Sequence, residues 1–286
     1  MMRPLARLVR LPVSIMVAVS AAFGYLLVRP VFDTELGLAC MGTFWLASAC
    51  SVLNQIQERD SDALLSRTAG RPLPMGQISV SVALCIALVC GAAAVACFLR
   101  LKVPALLWMT CGIVLSYNAV YTPLKRRTGF ALLVGAVPGA MPPVMGWAAA
   151  GGSVADVAAL AVFAVYYLWQ VPHFWLRVER DAGEYVRAGL PIPVTVFGHE
   201  RYRMLLRLWF HAYVAGILLL PLFARMQTPQ MRVAMTLTAV SVFLLTGTVL
   251  YNGGKKGHRA AFQWVNASLA IVMCLLLADR LFAAYY

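Results

Sequence analysis

Apolar residues run through the chain in nine long stretches, near 11–29, 37–53, 79–99, 103–121, 130–148, 155–175, 204–224, 231–251 and 262–284, with polar residues gathered in the intervals. A helix crosses a bilayer in about 20 apolar residues, so the pattern predicts an all-α, polytopic chain of nine transmembrane helices. The interval Arg100-Leu-Lys-Val-Pro104 is very short, which makes spans 3 and 4 an antiparallel hairpin. Span 5 holds Pro138, Pro142 and Pro143 with Gly135, Gly139 and Gly146. Such a content predicts a broken helix, tolerated at membrane depth only beside protein or a water-filled cavity; close packing of small residues against another helix is the competing account. The segment Ala188–Gly198 is apolar, interrupted by Pro191 and Pro193 and too short to cross, and is expected to lie as an interfacial lid over the acidic loop before it.

Composition supports this pattern. The 286 residues are 62% hydrophobic and 12% charged, and the mean hydropathy is +0.78, which excludes a soluble globular domain. Cytoplasmic loops carry an excess of Lys and Arg. With the N-terminus inside, 18 of the 24 basic residues fall on the inner side, and Arg29, Arg100, Lys102, Arg225, Arg232 and Arg280 on the outer. The expected orientation is N-terminus cytoplasmic and C-terminus outside, with Asn252–Arg259 as a basic cytoplasmic turn. The seven cysteines all lie in apolar runs and read as small buried residues rather than metal ligands or disulfide partners. About ten residues precede the first span, and no cleaved targeting segment is expected.

The acidic residues change the picture. Seven of eleven (Glu58, Asp60, Asp62, Glu179, Asp181, Glu184 and Glu200) sit in the inner loops after spans 2 and 6. Orientation does not require acids, so their clustering asks for another cause. In Asn54-Gln-Ile-Gln-Glu58-Arg-Asp60-Ser-Asp62, helical spacing places Asn54, Glu58 and Asp62 on one face. Three oxygen-bearing side chains on one face suit Mg²⁺, which binds through one or two carboxylates plus substrate phosphate oxygens. Arg67 and Arg71 follow at once as bidentate donors for phosphate. A solvated helix end is the plain alternative.

Span 4 ends in Tyr117-Asn118-Ala-Val-Tyr121-Thr122-Pro-Leu-Lys125. Polar groups at the depth of Tyr117 and Asn118 usually face a cavity, and the spacing of Tyr121 and Lys125 lets a phenol and an ammonium reach one phosphate. An interfacial tyrosine followed by orienting basic residues is the plainer account. Span 6 ends in Trp169-Gln-Val-Pro-His173-Phe-Trp175, where His173 is either a packed histidine or a functional one; Asp181 and Glu184 beyond it would share a helix face. Two acidic clusters around one cavity can clamp a diphosphate through Mg²⁺ and improve it as a leaving group. An apolar, aromatic cavity would shield the resulting carbocation from water. The residues therefore suggest a transferase for a lipid-soluble diphosphate.

Asn54-x-x-x-Glu58-Arg-Asp60-x-Asp62 with Arg67-Thr68 and Arg71, Tyr121-x-x-x-Lys125-Arg-Arg-Thr128, and Gly139-Ala-x-Pro-Pro-x-x-Gly-Trp147 resemble the UbiA superfamily of intramembrane prenyltransferases. Trp169-Gln-x-Pro-His173-Phe-Trp with Glu184-Tyr185-x-x-Ala188-Gly-x-Pro is similar to its haem-farnesylating branch. The resemblance implies one UbiA-type nine-helix bundle over 1–286, with acidic cytoplasmic loops near 54–78 and 176–203. It implies farnesyl diphosphate as donor, haem B as acceptor and Mg²⁺ as cofactor. By position, Asn54, Glu58, Asp62, Lys125 and Glu184 are the implied catalytic residues. The ion falls to Asn54, Glu58 and Asp62, with Asp60, Asp181 and Glu184 as further metal candidates; Arg67, Arg71, Tyr121 and Lys125 fall on the diphosphate. His173, Trp169, Tyr117 and Asn118 are acceptor-side candidates. The superfamily usually carries Asp where this chain has Glu58 and Glu184, and Asp181 is not where its acid is expected, so a divergent acceptor is the main alternative: a quinone precursor or other aromatic ring, or haem binding without catalysis. The expected surroundings are a bacterial inner membrane, crossed many times, with the lipid bilayer as partner, no nucleic acid, and an oligomeric state left open.

Overall fold

A computed structural model describes residues 2–252 and 255–285. The expected turn at Asn252–Arg259 includes residues 253 and 254, which lie outside the described residues. The described chain is helical throughout: α1 (Met2–Leu8), α2 (Leu11–Val28), α3 (Thr34–Gln57), α4 (Arg59–Asp62), α5 (Ser66–Ala69), α6 (Val80–Leu101), α7 (Pro104–Val114), a π-helical turn (Leu115–Tyr121), α8 (Thr122–Leu124), α9 (Ala131–Ala149), α10 (Val157–Arg180), α11 (Ala182–Arg187), α12 (Pro193–Phe223), α13 (Pro229–Asn252) and α14 (Lys255–Tyr285). Among the described residues, eight helical segments are long and apolar enough to cross a membrane. The remaining apolar run is α13, 24 residues long.

Helix starts follow local chemistry. Asp33 accepts from the Leu36 amide at 2.9 Å, Ser79 from the Val82 amide at 3.3 Å, and Asp156 from the Ala158 amide at 2.9 Å, so α3, α6 and α10 begin on side-chain caps. Pro104 opens α7 within its first turn, where no amide hydrogen bond is lost.

The helices fall into two compact units. The first comprises Met1–Gly152 with Gly183–Pro191. Here α3 packs on α6 and α2, and α2 packs on α9. Tyr25, Leu46, Phe98, Leu106 and Met145 form its larger core, and Leu8, Val52, Leu73 and Ala83 a second beside α1. The Gln55 amide donates to the Leu8 carbonyl at 2.5 Å, which fixes α1 to α3. In the second unit, Ser153–Ala182 with Ile192–Tyr286, α10 packs on α12 and α14, and α13 lies against both α12 and α14. Asp279 on α14 accepts from the amides of Gln227 and Thr228, closing the turn between α12 and α13.

Two expectations are corrected, and two segments take a course the sequence left unspecified. Span 5 is not broken: α9 is continuous with Pro138, Pro142 and Pro143 inside it. Its small residues serve close packing instead, since a Cβ on Gly24 of α2 would fall 1.8 Å from the Pro143 carbonyl oxygen, and one on Gly146 1.8 Å from that of Ala21. Membrane helices tolerate proline where surrounding protein re-satisfies the backbone carbonyls it frees. Span 4 is not uniformly α-helical, because Leu115–Tyr121 widens to a π-helix. Segment 188–198 is partly helical: residues 188–192 are non-helical and Pro193 opens α12, whose helical course is interrupted at Gly198, φ 75° and ψ 164°, a conformation that glycine adopts without a Cβ penalty. Asp181 and Glu184 do not share one helix, because Asp181 is the residue on which α10 ends before α11 begins.

Candidate functional site

The register of the first acidic stretch follows from two backbone hydrogen bonds. Glu58 N–H donates to Asn54 O at 2.9 Å, and Asp62 N–H donates to Glu58 O at 2.7 Å. The four-residue repeat thus passes through the junction of α3 and α4, although Glu58 itself leaves helical geometry.

Each side chain of the stretch has a definite partner. Asn54 is buried, and its Nδ2 donates to Thr122 Oγ1 at 3.1 Å; no hydrogen bond from a described residue reaches its Oδ1. Glu58 Oε1 pairs with Lys125 Nζ at 2.8 Å. Asp62 Oδ2 pairs with Arg71 Nη1 at 2.5 Å, with side chains only 5% and 14% exposed. Thr68 Oγ1 donates to the Asp62 carbonyl at 2.9 Å and ties the following loop back to α4. Arg67 is exposed and makes no ion pair with a described residue. Asp60 is 84% exposed and pairs with its neighbour Arg59, so it stands apart from the other three.

Electrostatics follow burial. Burial pushes the Asp62 carboxyl above the usual carboxylate range, and Arg71 pulls it only part of the way back. Burial also lowers the Arg71 guanidinium below its ordinary value despite Asp62. At Lys125 burial opposes the charge, but the Tyr121 oxygen and the Glu58 carboxylate outweigh it and hold the ammonium above its ordinary range.

The π-helical turn supplies the facing wall. Lys125 Nζ lies 4.4 Å from the Tyr121 ring centroid, a cation–π contact, and the Tyr117 and Tyr121 rings are 5.4 Å apart. Gly135 of α9 leaves room for the Tyr121 ring: a Cβ there would fall 2.6 Å from ring carbons. Asn118 is buried and engaged with α3, its Nδ2 donating to Cys50 O at 3.1 Å while Gln57 Nε2 donates to Asn118 O at 3.0 Å. Its amide therefore joins the π-turn to α3.

Glu184 of α11 accepts from the Ser66 amide at 3.0 Å and from the Ser66 hydroxyl. The residue expected in a second acidic site thus meets the loop of the first. Among the described residues, no three of His, Cys, Asp or Glu converge as a preformed ion cage. The donor chemistry still fits a hard ion. Asn54, Glu58 and Asp62 offer oxygen only, and Mg²⁺ needs few protein ligands when phosphate oxygens complete its shell.

In the second unit, His173 stands among aromatic rings. Ring centroids of Trp169, Phe174 and Phe262 lie 4.7, 4.9 and 5.0 Å from it. His173 Nδ1 is 2.7 Å from Asn266 Oδ1, and Trp169 Nε1 donates to Val265 O at 3.0 Å. Asp181 pairs with the adjacent Arg180 at 2.9 Å. Thr122, Gln57, Ser66 and Asn266 escape the sequence reading. The first two had a signal, being polar residues one helical turn from singled-out ones; Ser66 and Asn266 are distant in sequence from their partners and had none.

A family model described as the UbiA prenyltransferase family matches residues 16–276. A protein named protoheme IX farnesyltransferase from Oleidesulfovibrio alaskensis is 42% identical over 281 residues, 98% of each chain. One of the same name from Nitratidesulfovibrio vulgaris is 44% identical, covering 96% of this chain and 94% of that one. Among solved structures, one titled for digeranylgeranylglyceryl phosphate synthase matches with a TM-score of 0.81 at 14% identity, covering 98% of both chains. A UbiA homologue from Archaeoglobus fulgidus bound to GPP and Mg²⁺ matches with a TM-score of 0.65 at 17% identity, covering 96% of this chain and 99% of that one.

Proposed function

The chain belongs to the UbiA prenyltransferase family, and from that premise we propose that Asn54, Glu58, Asp62, Arg67, Arg71, Tyr121 and Lys125 form the diphosphate-binding end of a farnesyltransferase whose acceptor is haem B. It is a prenyltransferase and a multi-pass protein of the bacterial inner membrane. The reaction joins the farnesyl group of farnesyl diphosphate to a vinyl carbon of haem B, with water supplying a hydroxyl, and gives haem O and diphosphate. The full-length match to relatives named for this activity supports the acceptor.

The single observation that carries the site assignment is that two buried or half-buried carboxylates, Glu58 and Asp62, are each held by a cation, Lys125 and Arg71. Such pairs keep both charges in place before substrate arrives. When a diphosphate enters, Lys125 and Arg71 turn from carboxylate to phosphate oxygens, and the freed carboxylates with Asn54 Oδ1 are the donors that would hold Mg²⁺. Held there, the ion would neutralise charge on the leaving diphosphate. Arg67, exposed and unpaired with any described carboxylate, reaches the outer phosphate. Tyr121 holds the Lys125 ammonium against its ring. Glu184 acts beside this group through Ser66, and we assign it to the second metal position in preference to Asp60, whose side chain is 84% exposed, and to Asp181, which ends α10 against its neighbour Arg180. Asn118 is reassigned from the acceptor to the scaffold, because its amide is engaged with α3. His173 and Trp169 take the porphyrin.

Asp62→Ala tests the reading. It should abolish Mg²⁺-dependent diphosphate release while the chain still inserts and folds; release at the wild-type rate would overturn the metal assignment.

A further inference from the structure

The environment of His173 fixes which of its nitrogens carries a proton. Asn266 Nδ2 lies 2.7 Å from the Phe262 carbonyl of its own helix. A carbonyl only accepts, so the nitrogen of that amide must face it, and the oxygen is left toward His173. Asn266 Oδ1 in turn only accepts, so at 2.7 Å the Nδ1 of His173 must be the donor. The neutral ring then has its lone pair on Nε2, and no hydrogen bond from a described residue reaches that atom. The rings of Trp169, Phe174 and Phe262 pack against the imidazole, tilted by 36°, 85° and 35° to its plane. Trp169 is itself immobilised by its bond to the Val265 carbonyl, so the amide, the imidazole and the indole are all anchored by α14.

We propose that Asn266 is a positioning residue that locks His173 with Nδ1 protonated, so that Nε2 ligates the iron of the porphyrin acceptor. This rests on the reading of haem as acceptor. A histidine that binds a metal through one nitrogen commonly donates its other N–H to an oxygen, which fixes the tautomer and raises ligand basicity. A flat macrocycle also matches walls made of aromatic rings, which favour stacked arrangements. Packing alone requires neither an anchored amide nor a ring nitrogen left without a partner.

The test uses the full-length protein in lipid nanodiscs, titrated with haem B without farnesyl diphosphate and followed by the Soret band, with farnesylation measured in parallel on the same preparations. The wild type should show an imidazole-ligated haem. His173→Ala should lose that signature, and added imidazole should restore it. Asn266→Leu should weaken haem binding by about 10–100-fold, the usual effect of removing an outer partner of a metal-binding histidine. Asn266→Asp keeps an acceptor oxygen and should retain the signature, which separates tautomer control from loss of fold. An unchanged spectrum and affinity in either His173→Ala or Asn266→Leu would overturn the proposal even if farnesylation is normal. A wild type that binds haem through an imidazole but never farnesylates it would overturn the acceptor reading and leave the ligation intact.

Discussion

Asp62 and Arg71 form a buried ion pair on which the proposed site depends, and its strength can be worked out. Their side chains are 5% and 14% exposed, and the contact is 2.5 Å. Two unit charges about 4 Å apart attract by about 4 kcal/mol at an effective dielectric of ~20. Removing one partner of a buried pair strands the other, at a cost of about 3–5 kcal/mol; an exposed pair costs about 0–1 kcal/mol. Asp62→Asn keeps the shape and deletes the charge, so it should lower stability by about 3–5 kcal/mol. Arg71→Leu should cost a similar amount near neutral pH, with a pH dependence of definite sign. Burial already raises the Asp62 carboxyl, and loss of Arg71 raises it further. The folded state then holds a proton that the unfolded state releases near pH ~4, so the stability of this variant falls as pH rises through that window and levels off above the folded value. The double variant Asp62→Asn/Arg71→Leu strands no charge and should recover most of the loss. The assay is unfolding in mixed detergent–SDS micelles followed by tryptophan fluorescence, arranged as a double-mutant cycle. The two single losses sum to about 6–10 kcal/mol and the double variant recovers most of one of them, so a coupling of about 4 kcal/mol or more is expected. A coupling below ~0.5 kcal/mol would refute the reasoning, because the pair would then behave as exposed.

Other consequences test different parts of the account. Glu58→Asp shortens the side chain and breaks the contact with Lys125, yet keeps an oxygen ligand; steady-state rates should stay well within the about hundredfold loss that an ångström of misplacement can cause. Lys125 is held above its ordinary range, so its charge persists as pH rises past the usual lysine value near 10.4, and farnesyl diphosphate affinity should not decline between about pH 8 and about pH 10 through loss of this charge; Lys125→Met should abolish that affinity across the range. Gly135→Ala places a methyl 2.6 Å from the Tyr121 ring and should raise the KM for farnesyl diphosphate several-fold by moving Tyr121 and Lys125, without loss of haem binding. Gly146→Ala puts a methyl into the Ala21 carbonyl; overpacking of this kind typically costs about 1–3 kcal/mol, read as a lower thermal midpoint.

The helices and the first acidic stretch were legible because each depends on local rules. Bilayer length sets the apolar runs, and helical period sets the alignment of Asn54, Glu58 and Asp62, which the backbone bonds preserve even where Glu58 departs from helix. What escaped depends on contacts far apart in sequence. Proline content predicted a break in α9, but whether proline breaks a membrane helix is decided by its neighbours; here α9 is continuous and lies close against α2 at Gly24 and Gly146. The π-turn at Leu115–Tyr121 has no composition signature; it is held by the Asn118 and Gln57 exchange with α3. The second acidic site was legible as Glu184, but not its contact with Ser66, 118 residues away, which joins it to the loop of the first. Asn266 is a polar residue in an apolar run, and its partner His173 is set only by the packing of α14 on α10.

The central claim is that this chain transfers a farnesyl group to haem B in a Mg²⁺-dependent reaction using the Asn54–Asp62 stretch. The most direct measurement is mass spectrometry of haem extracted after incubating the purified protein in nanodiscs with haem B and farnesyl diphosphate, with Mg²⁺ or with chelator. A hydroxyethylfarnesyl haem that forms only with Mg²⁺, and not with Asp62→Ala, is the predicted result. Unmodified haem under every condition from a folded, haem-binding protein would contradict the claim.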